Sequence, residues 1–159
     1  MWKMIKNNMK KLLAMSLLLV VLLVAGCGSS GAGLQRIAGL TTEGTIKTFF
    51  DAAKNNRMNE ASLYVSAASK NNIPTVLKFM TGQTGVEEIK NSNILSIKQI
   101  AQQGNYAAVV VTIQEQNSFK LTIKPVGLEK TNGEWYIIDF DQIYTDAKYK
   151  VLQQLLANI

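Results

Sequence analysis

The chain has 159 residues, no histidine and a single cysteine. Without histidine there is no Ser-His-Asp triad and no imidazole to act as acid, base or metal ligand. One cysteine excludes an intrachain disulfide and every multi-cysteine zinc or iron–sulfur site. The sequence also lacks G-x-x-x-x-G-K-[ST], G-x-G-x-x-G between strand and helix, and G-x-S-x-G. Phosphate loops, dinucleotide sites and nucleophile elbows are therefore not expected. No cofactor is expected.

Acidic residues are missing from the first 26 positions, which hold Lys3, Lys6, Lys10 and Lys11. Leu12–Val24 is almost wholly apolar over 13 residues, and the small residues Ala25 and Gly26 follow it. A basic start, a short apolar run and a small-residue site describe a secretory signal peptide. A spanning helix usually needs about 20 apolar residues, so a permanent transmembrane segment fits less well. Val24-Ala25-Gly26-Cys27 resembles a bacterial lipobox. That resemblance implies cleavage before Cys27 and a diacylglyceryl thioether on its sulfur. The alternative is an ordinary signal peptide with a chance cysteine at its end. The expected organisation is a lipoprotein signal peptide over 1–26, a lipidated Cys27 with a flexible tether over 27–40, and one domain over 41–159. The expected place is the extracytoplasmic face of the cell membrane.

The leader holds four of the 17 basic residues and none of the 11 acids, so residues 27–159 carry a net charge of +2. No basic patch remains to suggest nucleic acid. Gly28-Ser29-Ser30-Gly31-Ala32-Gly33 reads as flexible chain, and Leu34–Leu40 is ambiguous.

Thr41-Thr42-Glu43 offers a hydroxyl cap and an acid in a first helical turn, and Ile46, Phe49, Phe50 and Ala53 follow at helical spacing. Asn55-Asn56 closes that helix. A second short helix is expected over Met58–Val65. A third starts near Asn72, with Pro74 in its first turn, Ile73, Leu77 and Met80 inward, and Gly82 as its stop. Gln83–Asn93 reads mostly as loop.

The rhythm then changes to strands at Ile94–Gln102, Tyr106–Gln116, Phe119–Lys124 and Glu134–Asp141. Gly104-Asn105 fits a type II′ turn, Gln116-Asn117 can turn the chain again, and Thr131-Asn132-Gly133 is a third turn. Phe119, Leu121 and Ile123 alternate with Lys120, Thr122 and Lys124 as in a half-buried strand. Pro125 suggests an edge or bulge. A last helix carries Ala147, Val151, Leu152, Leu155, Leu156 and Ile159 on one stripe. That stripe serves as core, as a surface for a partner's groove, or as a membrane contact.

Helices followed by an antiparallel meander make an α+β plan. Thr41–Ala52, Arg57–Ser66 and Lys130-Thr131-Asn132-Gly133-Glu134-Trp135-Tyr136-Ile137-Ile138-Asp139 resemble the first helix, second helix and closing strand of nuclear-transport-factor-2-like domains. The whole is similar to bacterial lipoproteins with a lumazine-binding-like domain of unknown function, over about residues 41–141. The resemblance implies a cone: N-terminal helices packed on a curved four-stranded antiparallel sheet, with a cavity at the wide end. The C-terminal helix lies outside the usual pattern.

Such cones host enzymes, ligand binders and interaction modules, so fold alone selects no function. Phe49, Phe50, Tyr64, Tyr106, Trp135, Ile137 and Asp139 are the candidate pocket-lining residues. An inward Trp135 either stacks on a planar ligand or packs on Phe49 or Phe50 as core. Asp139, on the Trp135 and Ile137 face, is either a base of isomerase type, with Tyr64 or Tyr106 nearby, or a strand-end carboxylate in solvent. Glu87-Glu88 supplies too few oxygens for a metal, and Asp139, Asp141 and Asp146 lack the spacing of a calcium loop. The leading expectation is a non-enzymatic lipoprotein held in the membrane by its lipid anchor. It binds a small apolar or aromatic ligand, or an envelope protein, through the cone. The alternatives are a carboxylate/tyrosine enzyme and a structural interaction module.

Overall fold

The computed structural model describes residues 33–81 and 89–159. The leader, Cys27, Gly82 and the Glu87-Glu88 pair lie outside the described residues. Leu34–Ile159 forms one compact unit. Its architecture is α+β, with a four-stranded antiparallel sheet in the order β1-β2-β3-β4 that does not close.

Helix α1 (Thr42–Lys54) begins where the Thr41 hydroxyl accepts a hydrogen bond from the Gly44 N–H at 3.1 Å. That bond satisfies one of the donors every helix start leaves open. Ile46, Phe49, Phe50 and Ala53 are buried on one side. Asn56 leaves the helix at φ 57°, a left-handed conformation that asparagine tolerates. Helix α2 (Met58–Ala61) tightens into a 3₁₀ turn at Ser62–Tyr64. Helix α3 (Ile73–Thr81) buries Val76, Leu77 and Met80.

Strand β1 (Ser92–Gln103) starts inside the segment expected to be loop. Its pairing with β2 (Tyr106–Glu115) skips Leu95 and Ile100, so β1 carries two bulges. Bulges on an edge strand discourage pairing with a second sheet. In the β1–β2 turn the positive φ falls on Gly104 alone, as a type II′ turn requires. Strand β3 (Leu121–Thr131) pairs with β2 along most of its length. It pairs with β4 (Glu134–Ile137) only from Leu128 onward. Pro125 therefore stands where β3 has β2 as its sole partner, a position that spares a missing N–H. Strand β4 is shorter than the expected Glu134–Asp141, because Asp139 leaves the sheet to cap helix α4 (Phe140–Thr145).

Alternation along β2 sends Ala107, Val109 and Val111 to one face and Ala108 to the other. The first face packs on α1–α3 around Phe49, Phe50, Tyr64 and Leu77. The second receives Ile143 of α4, Tyr149, and Leu152 and Leu156 of helix α5 (Lys150–Ala157). Of the expected C-terminal stripe, Leu152 and Leu156 are buried, while Ala147 and Ile159 are exposed. The stripe breaks because Asp146 caps a separate 3₁₀ turn, Ala147–Tyr149, through the Lys148 N–H.

Gly127 on β3 sets how closely this second layer sits. A Cβ there meets Ile143 Cδ1 at 2.6 Å and Leu152 Cδ2 at 2.8 Å. Gly127→Ala is therefore expected to overpack the second face and cost about 1–3 kcal/mol. Thermal unfolding of the variant reads this loss, and an unchanged midpoint means that α5 does not rest on Gly127.

Candidate functional site

The seven residues chosen from sequence do not line one cavity. Phe49, Phe50, Tyr64, Trp135 and Ile137 belong to a single buried cluster and pack against their neighbours as core. The Tyr64 hydroxyl accepts the Ile37 N–H at 3.2 Å. Tyr106 is on the opposite face of the sheet. It shares the parity of Ala108, and its ring meets Tyr149 edge-on at 6.1 Å.

Asp139 is 2% exposed, so it is not a strand-end carboxylate in solvent. It faces no tyrosine hydroxyl either. Its Oδ1 accepts the backbone N–H groups of Asp141 at 2.8 Å and Gln142 at 3.4 Å. Its own N–H donates to Ser69 Oγ at 3.0 Å, and the Ser69 hydroxyl donates to Gln142 Oε1. The group is a helix cap within a polar network. Asp146 Oδ1 caps a different turn, at Lys148 N. The three carboxylates do not converge. Among the described residues no group of three or more acidic, cysteine or histidine side chains is placed to hold a metal. No described helix is long and apolar enough to cross a membrane.

The sequence reading missed Arg36. Its guanidinium donates to Leu63 O at 2.8 Å and Trp135 O at 2.5 Å, and lies 3.5 Å from Glu134 Oε2. It also sits 4.7 Å from the Tyr64 ring centroid and 4.4 Å from that of Tyr136, a cation–π arrangement on two rings. The other Glu134 oxygen accepts the Gly39 N–H at 2.8 Å. Residues 34–40, read from sequence as the end of a tether, are thus bound to the domain. The sequence signal was Arg36 itself, the one charge in that segment.

A recess of ≈ 400 Å³ lies beside Asp139, lined also by Asn72, Asp141, Gln142 and Thr145. Two more flank the core. The larger of these, ≈ 500 Å³, lies between α1 and β1, with Phe50, Ile94, Leu95 and Ile97 as apolar lining and Lys47 and Asp51 at its mouth. Glu43 and Lys54 also line it, but they bind α1 to β1. Lys54 Nζ donates to Ser92 O at 2.7 Å, and Glu43 Oε1 accepts the Gln99 N–H at 3.2 Å. Burial pushes the Glu43 carboxyl up, yet hydrogen bonds from backbone N–H groups and the Thr42 hydroxyl outweigh it and leave its pKa below the ordinary value. The second recess, ≈ 340 Å³, is lined by Lys70, Tyr136, Glu129, Lys148 and Tyr149. Glu129 accepts from Lys148 Nζ at 2.7 Å and from the Tyr149 hydroxyl at 3.3 Å. The hydrogen bond to Glu129 raises the Lys148 pKa. Burial, then the Glu129 charge, raise that of Tyr149. Both groups keep their protons at neutral pH, so the cluster is an ion pair and not a poised base.

A group of exposed apolar side chains lies elsewhere. Phe119 is fully exposed, and Leu121 and Ile123 are 55% and 65% exposed. The expected alternation of β3 is present, but its apolar half is the uncovered one. Leu121 and Ile123 share the face occupied by α5, beyond the point where α5 ends its cover, and Phe119 precedes them in the turn.

If Asp139 acts only as a cap, Asp139→Asn retains an oxygen for the two N–H groups and keeps most of the stability. Asp139→Ala loses about 1–2 kcal/mol. Equal losses in the two variants, measured by chemical denaturation, sink the capping account.

No protein-family model matches the chain, and no curated protein matches it.

Proposed function

We propose that the chain is a lipid-anchored, non-enzymatic lipoprotein of the extracytoplasmic face of the cell membrane, acting through the surface of its domain. One observation carries the surface part of this reading. Of the aromatic residues that were to line a cone, Phe49, Tyr64 and Trp135 are packed core, while Phe119, Leu121 and Ile123 stand in solvent. Fully buried aromatics leave no room for a ligand among them. Large exposed apolar groups on one face mark a contact surface. The α+β plan supports a nuclear-transport-factor-2-like domain whose interior is filled. Engagement of Asp139 as a helix cap argues against the isomerase-type alternative.

The anchor part rests on Leu12–Val24, the small residues after it and Cys27 as the chain's one thiol. Arg36 supports it from the other side, because a domain bound from residue 36 onward leaves only a short length of chain after Cys27. A second reading, a small apolar or aromatic ligand, is favoured by the α1–β1 recess alone. Its ≈ 500 Å³ falls within the range of small-molecule sites.

Labelling cells with a palmitate analogue is expected to mark the wild-type protein and not Cys27→Ala. Label retained in the variant removes the anchor reading. Residues 34–159 are expected to give a flat thermal-unfolding response to a panel of flavin precursors, lipids and steroids. A ligand at about 100 times its Kd adds about 2.7 kcal/mol, roughly 10 °C for a domain of this size. A hit of that size moves the function to the α1–β1 recess.

A further inference from the structure

We propose that the uncovered half of the second sheet face docks on an anionic lipid surface, giving the domain a second membrane contact. The proposal deepens the surface reading above and rests on it.

The face is defined by the strand register. Ser96, Thr112 and Ile123 form one row across β1, β2 and β3, and Lys98, Val110 and Pro125 form the next. Both rows share the parity of Ala108 and Gly127, which α5 covers. Beyond them β3 presents Leu121, and the turn before it presents Phe119 and Lys120, all exposed.

Charge selects the occupant. No carboxylate stands in these rows, and their one lysine, Lys98, is exposed; Lys120 is exposed in the turn before β3. Glu115, the one acid between Ser92 and Leu128, pairs with the buried Ser92 and has the opposite parity. Glu129 shares the face but is held by Lys148. A second copy laid on this face would bring no carboxylate to meet Lys98. A surface of apolar depth and negative headgroups matches both parts of the patch: Phe119, Leu121 and Ile123 enter the interface, and the lysine stems run along it with their charges in the headgroups.

Chain length makes weak contact sufficient. Six residues lie between Cys27 and Leu34, a reach of at most about 25 Å. A lipid on Cys27 therefore holds the folded unit beside the bilayer. The second contact forms at a high effective concentration, and its own affinity can be low.

The test uses the full lipidated protein in vesicles. Phe119→Cys carries an environment-sensitive NBD label, and Asn132→Cys, at the opposite end of β3, carries the same label as a control. Vesicles are equal parts phosphatidylglycerol and phosphatidylcholine, or phosphatidylcholine alone, with and without doxyl-labelled lipid. The expected result is a blue shift and doxyl quenching at position 119 and not at 132. Both are stronger with phosphatidylglycerol and are lost when Ile123→Glu is added. Raising salt to 1 M shortens the screening length to about 3 Å and weakens the shift.

Equal emission at the two positions with and without vesicles overturns the proposal. A shift that grows with protein density and resists doxyl lipid overturns it in favour of a second copy. Crosslinking from position 119 to a protein in native membranes, without lipid quenching, overturns it in favour of a protein partner. The lipoprotein reading fails separately if the parent chain itself takes the thiol label at Cys27. The docking is then read on the Cys27→Ser chain with the same vesicles, where quenching at 119 sustains it and its absence overturns it.

Discussion

Strand β2 is apolar on both sides, and this single condition organises the domain. Ala107, Val109 and Val111 require cover on one face, and Ala108 requires it on the other. A four-stranded open sheet cannot supply that cover itself. The N-terminal helices bury the first face along β2. The second face has only the segment after β4, and α5 is eight residues long. Cover runs out before the sheet does. The exposed apolar end of β3 is thus what remains when a short helix is laid on a longer strand.

Two polar devices hold the layers in place. Asp139 turns the chain out of β4 and into α4 by giving its carboxylate to two backbone N–H groups, while Ser69 takes its own N–H. Arg36 works at the other edge, accepting no hydrogen bond and offering several donors to two carbonyls and a carboxylate. A planar guanidinium suits that place because it satisfies carbonyls at its rim while its faces lie on Tyr64 and Tyr136. Both devices are local charges answered by fixed dipoles, so neither leaves a buried charge unpaired.

Much of the fold was legible because its signals are short-range. A hydroxyl cap at Thr41, positive-φ residues at Gly104 and Asn132-Gly133, and 3.6-residue spacing from Ile46 to Ala53 act within a turn or two of the chain. What failed was long-range. Alternation in Phe119–Lys124 separates two faces but does not say which is covered, since that depends on the length of a helix some 30 residues later. Apolar residues from Trp135 to Ile138 invited the strand to run on. Asp139 with Gln142 three positions later is also a helix-start pattern, and it prevailed. Phe49, Phe50, Tyr64 and Trp135 are buried, but pattern cannot tell a lined cavity from a filled one. Arg36 was out of reach because its partners lie 27 to 99 positions away.

The Arg36 clasp also decides how the domain meets mechanical load. Any tension applied from the N-terminal side arrives at Arg36 before it reaches α1. There it divides between the Leu63 carbonyl, in the turn after α2, and the Trp135 carbonyl, on β4. Two separate elements share the pull. Helix α1, whose Phe49 and Phe50 anchor the core, is shielded from it until the clasp opens.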